Sequence, residues 1–76
     1  MQELDLVVLT SPQAAYGLEA GDVGTIVHVY QAGSAYEVEF ATAEGQTVAV
    51  LTLTKAEIRA IAAREILRVR ELAPAA

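Results

Sequence analysis

Cysteine and tryptophan are absent from this 76-residue chain, and histidine occurs once, at His28. Without cysteine, neither a disulfide framework nor a thiolate metal site can staple the fold. One histidine with no cysteine beside it leaves no ordinary ligand set for a transition metal, so no metal and no cofactor is expected. No apolar run approaches the ~20 residues that a membrane-spanning helix needs. The opening, Met1-Gln2-Glu3-Leu4-Asp5, lacks the basic start of a secretory signal, which makes the cytoplasm the expected location. Positive charge is missing from the first 54 residues. All five basic residues, Lys55, Arg59, Arg64, Arg68 and Arg70, lie in the last third, and the net charge is −5. Glu3, Asp5, Glu19, Asp22, Glu37, Glu39 and Glu44 precede them. An acidic body repels phosphate backbones, so nucleic acid is not an expected partner.

What is present is apolar. Hydrophobic residues make up 54% of the chain, and the mean hydropathy is +0.38. Part of this is alanine, which buries little area. The excess points to an apolar surface that meets a partner or a second copy. The length implies one domain, residues 1–76, with a small core and marginal stability.

Along the chain, "LDLVVL" (4–9) is a β-rich run that stops at the breaker "TSP". Residues 11–22 form a loop, with Pro12 fixing its own φ and Gly17 and Gly21 free to take positive φ. Residues 23–30 are a second strand, and "QAGSA" turns the chain with Gly33 as the positive-φ residue. Residues 35–41 alternate cleanly, with Tyr36, Val38 and Phe40 on one face and Glu37 and Glu39 on the other. "TAEGQ" turns again, and residues 46–53 are a fourth strand rich in β-branched residues. Thr54 and Glu57 then have capping-box spacing, which predicts a short helix within residues 55–64 carrying Ile58 and Ile61 on one face. "EILRVRE" (65–71) alternates and reads as a fifth strand; a helix continuing from 55 to 72 is the rival reading. "APAA" at the end reads as a frayed tail. Five strands, one long first loop, two tight hairpins and a helical turn before the last strand match a mainly β fold, a small five-stranded antiparallel SH3-like barrel.

The stretch "GLEAGDVGTIVHVYQAGSAYEVEF", with "TAEGQTVAVLTLTKAEIRAI" and "EILRVRE" after it, resembles a family of small bacterial proteins of unknown function. The shared pattern is "GL-x-x-GDVGTIV-x-VY", then "AYEVEF", then "G-x-T-x-A-x-x-TL", covering about residues 4–69. The resemblance implies an SH3-like barrel similar to that of nitrile hydratase β subunits and related accessory proteins. It also implies a setting beside other small genes, as in toxin–antitoxin-like pairs. It carries no catalytic residues over. The alanine-rich segment after Thr54 departs from the pattern and leaves the length of the helical turn open.

Several residues invite a chemical reading. "GDVGT" (21–25) has two glycines and an acid but lacks the lysine and following helix of a phosphate loop, so Asp22 is assigned to bonding turn amides. His28 lies between Val27 and Val29. If those valines face the core, His28 faces outward with Ile26 and Tyr30, where Glu37 or Glu39 on the next strand can approach it. Glu37 and Glu39 point the same way, ~7 Å apart by strand rise, a spacing known in glycoside chemistry that nothing else in the chain supports. Arg64, Arg68 and Arg70 suit either an acidic strand of the same sheet or an acidic partner. Tyr36 belongs to the core, whereas Tyr16 in the first loop and Tyr30 are surface candidates. The absence of tryptophan leaves a proline-peptide groove incomplete.

The function expected is therefore not enzymatic. It is a protein-interaction module that uses Tyr16, His28, Tyr30, Glu37 and Glu39. Its partner is either a basic protein encoded nearby, as for an antitoxin or immunity protein, or another copy of itself. The alternative is an accessory subunit of a larger enzyme, by analogy with the nitrile hydratase barrel.

Overall fold

β-Branched and alternating runs become strands wherever one face of the run can be buried. Five do so in a computed structural model that describes residues 1–72: β1 (Leu6–Leu9), β2 (Val23–Tyr30), β3 (Ala35–Ala41), β4 (Thr47–Leu53) and β5 (Ile58–Ala60). All neighbours pair antiparallel in one sheet of order β4-β3-β2-β1-β5. The described residues contain no α-helix, only two 3-10 turns, Ala14–Tyr16 and Gln31–Gly33. The mainly β, five-stranded antiparallel architecture is as the sequence predicts. The expected frayed tail, residues 73–76, lies outside the described residues.

The core is the inner face of this bent sheet. Val7 and Leu9 of β1, Ile26 of β2, Tyr36, Val38 and Phe40 of β3, Ala49, Leu51 and Leu53 of β4 and Ile58 of β5 are all buried. Leu18 joins them from the first loop, which is cinched by a bridge between Gln13 and Leu18. At Gly24 side chains of the neighbouring strand β3 crowd the backbone of β2. A Cβ there would stand 2.6 Å from Val38 Cγ1 and 2.9 Å from Phe40 Cε1, so the close approach of β3 side chains requires glycine. Gly33, with φ +85°, holds the positive-φ turn position expected of it.

Two local expectations are corrected. In β2, Ile26 pairs with Val38 but His28 pairs with Glu37, so Val27 is the extra residue of a bulge. The bulge resets the alternation. Ile26 turns inward and is fully buried, Val27 is 40% exposed rather than part of the core, and Val29 packs against the core from its edge.

The second correction concerns the last strand. The spacing of Thr54 and Glu57 does form its box: Thr54 N donates to Glu57 Oε1 at 2.9 Å. It caps a single turn, closed by Glu57 N donating to Thr54 O, and the chain then enters β5 at once. The expected helical segment is thus this one turn before the last strand; no longer helix forms within 55–64, nor does the rival helix through 72. The strand expected at 65–71 is displaced to Ile58–Ala60, whose register puts Ile58 opposite Leu9. Ile58 can be buried on one side of a short strand. In 65–71 both faces mix apolar and charged residues, so neither face is driven inward. Ile66 and Val69 are 91% and 93% exposed.

Candidate interaction surface

The outer face of β2, β3 and β4 is built by alternation. With Tyr36, Val38 and Phe40 turned inward, Glu37 and Glu39 must turn outward. Cross-strand register sets Glu37 between His28 and Thr52, and Glu39 between Thr25 and Val50. The expected His28–Glu37 neighbourhood therefore exists in the backbone, but the carboxylates turn the other way. Thr52 Oγ1 donates to Glu37 at 2.5 Å, and Thr47 Oγ1 donates to Glu39 at 2.6 Å. Both acids thus lean over β4. No ion pair joins either of them to a basic residue among the described residues. His28 instead meets Tyr30 edge to face, with ring centroids 4.6 Å apart.

The structure so brings four of the five expected residues, His28, Tyr30, Glu37 and Glu39, onto one outer face. Tyr16 is not with them. It lies 51% exposed in the 3-10 turn of the first loop, before β2 begins, whereas Tyr30 ends that strand.

Beside this face runs an open edge. β4 pairs with β3 on one side only, and no further hydrogen bond reaches the backbone of residues 47–53 among the described residues. Its sequence, "TVAVLTL", has neither a charge nor a proline to discourage pairing. The opposite edge, β5, is three residues long, and Arg59 Nη1 donates back to Ala60 O across it. Among the described residues only β4 is an unguarded edge of useful length. The sequence names β4 as a strand, but its place at the edge depends on the order of the sheet, which no local pattern carries.

A second feature was not anticipated from sequence. Arg70 clamps the segment after β5 onto the first loop. Its Nε and Nη2 donate to the two carboxylate oxygens of Asp22 at 2.8 and 2.6 Å, and Nη2 also donates to Gly17 O. Asp22 accepts from the Glu19 amide as well, which is the turn-bonding role its position implies. The bond to Arg70 holds the Asp22 carboxyl below its ordinary value, against a smaller opposing effect of burial. Glu65 is similarly held down to about 2 by its fork with Arg59 and the Ala62 amide. Arg70 thus pairs with acids of the first loop and Arg59 with Glu65 of the segment after β5, not with an acidic strand, and Arg64 and Arg68 make no ion pair among the described residues. A cavity of about 260 Å³ lies between the clamped segment and the sheet, bordered by Leu18, Phe40, Val48, Val69 and Leu72.

No group of three or more His, Asp or Glu side chains among the described residues could hold a metal ion. No helix among them is long and apolar enough to cross a membrane.

An antiparallel β domain with an acidic outer face and one open edge is the class of protein these features define. The chain belongs to the family described as a domain of unknown function, DUF4926, whose model matches residues 3–60. No curated protein and no solved structure matches it. The family match stops at the last residue of β5, so the Arg70-clamped segment falls beyond the matched span.

Proposed function

We propose that the protein is a non-enzymatic interaction module of SH3-like barrel type, acting in the cytoplasm on a protein partner. The strand order β4-β3-β2-β1-β5, with its long first loop, supports the barrel reading. One observation carries the interaction reading: the β4 edge, uncharged and open on one side, has two carboxylates bonded to its threonines that no basic side chain among the described residues neutralises. An open edge offers backbone donors and acceptors to an added strand, and neighbouring acids select for basic side chains on it. His28 and Tyr30 extend the same face with aromatic contact area.

Co-expression with the products of adjacent genes, followed by affinity isolation, tests this. Co-elution of a partner with the native chain, and its loss from a Glu37→Lys/Glu39→Lys variant, is the expected result. A chain that elutes alone with every neighbour, and stays monomeric to about millimolar concentration, overturns the reading.

A further inference from the structure

The segment after β5 has the complement of what the β4 edge lacks. Residues 64–71, "REILRVRE", alternate with period two. In an extended conformation Arg64, Ile66, Arg68 and Arg70 share one face, and Glu65, Leu67, Val69 and Glu71 share the other. The backbone of residues 66–69 makes no hydrogen bond among the described residues, and Ile66 and Val69 stand almost wholly in solvent. Among the described residues this segment pairs with no strand, and the β4 edge of the sheet has no strand beside it.

We propose that residues 64–69 of a second copy add to β4, so that two copies exchange tails and edges in a closed dimer. The proposal rests on the interaction reading above and names its partner as this same chain. Three observations favour it. First, the lengths agree. Six extended residues span ~20 Å, close to the ~23 Å of the seven-residue β4. Second, the charges agree. Glu37 and Glu39 already lean over β4 through Thr52 and Thr47, so a basic side chain on an added strand meets them across one strand spacing of ~4.8 Å. Arg64 and Arg68 would lie on that outer face. Leu67 and Val69 would then turn inward and extend the row of Ala49, Leu51 and Leu53, while Glu65, on the same face, sits near the start of the added strand. Third, the Arg70 clamp on Asp22 and Gly17 holds the tail at the first loop of its own chain, which leaves its own β4 uncovered. Reciprocal exchange satisfies two edges at once and ends there, as a two-fold assembly must.

Light scattering of the full chain, with charge reversal, tests the arrangement. The native protein is expected at twice the 8.0 kDa of one chain. Arg64→Glu/Arg68→Glu, Glu37→Lys/Glu39→Lys and Val50→Lys should each weaken the dimer about tenfold or more. All five positions are on the surface, and circular dichroism confirms that each variant folds. Mixing the first two variants should restore a dimer, because each tail then faces an edge of opposite charge. Three results overturn the proposal. One is a monomer at every concentration. Another is a dimer indifferent to these substitutions; this leaves the interaction-module reading standing through another face. The third is a monomer whose 64–69 amides are protected from exchange and lose that protection on Val50→Lys, which means that the tail pairs with its own β4.

Discussion

At Gly24 a hydrogen occupies the place where any other residue carries a carbon, and Val38 and Phe40 fill the space around it. Gly24→Ala drives a methyl into two core side chains and the Glu39 carbonyl, so a loss of about 1–3 kcal/mol is expected in urea unfolding. The sequence shows this glycine only as part of "GDVGT", a turn signal, because its real constraint comes from a strand fourteen positions on. Asp22 was half legible for the same reason. Its bond to the Glu19 amide follows from local turn chemistry, while its bond to Arg70 spans 48 positions and depends on the path of the tail. The carboxyl titrates below its ordinary 3.8 in the folded chain, so on acidification the unfolded chain takes up this proton first. The resulting stabilisation is complete above about pH 5 and is lost as pH falls through the folded value. Urea midpoints at pH 6 and pH 3 should therefore differ less in Asp22→Asn than in the native protein.

Among the elements, β-rich runs and turn residues mark the first four strands to within two residues at each end. Alternation works best in β3 and β4, each of which has one clean apolar row, whereas β1 is buried on consecutive residues and the bulge at Val27 interrupts the row of β2. The fifth failed where that condition failed. Residues 65–71 alternate in shape but not in polarity, whereas the real β5 is three residues long and too short to display a period. Core truncation separates the two segments. Ile58→Ala should cost ~2–5 kcal/mol, as for a fully packed isoleucine, while Ile66→Ala should change stability by less than ~0.5 kcal/mol in the same assay. The turn before β5 makes a further prediction. Glu57 receives the Thr54 amide and hydroxyl and the Gln13 side chain. Glu57→Ala should cost about 1 kcal/mol, the usual worth of a lost cap, although no helix follows.

For the molecule as a whole, charge is segregated as structure is. The sheet is acidic and ends at Ala60, and four of the five basic residues, from Arg59 onward, sit at or beyond β5. The outer face was legible in part: alternation put Glu37 and Glu39 outside, but the open β4 edge and the Arg70 clamp emerge only once the strands are ordered. Limited trypsin digestion reads this division directly, since no cleavage site precedes Lys55. Arg70→Ala should speed cutting after Arg64 and Arg68 several-fold, because the segment loses its attachment to Asp22 and Gly17, and should leave the sheet intact by mass spectrometry.

The surplus residue at Val27 gives this domain one place where its length is negotiable. Loss of a single codon there straightens β2 and leaves His28, Val29 and Tyr30 opposite the partners they already have. The same loss between Tyr36 and Phe40, where the ladder has no slack, would turn part of the inward row out to solvent. Insertions and deletions among relatives of this sequence should therefore gather at the bulge and spare β3.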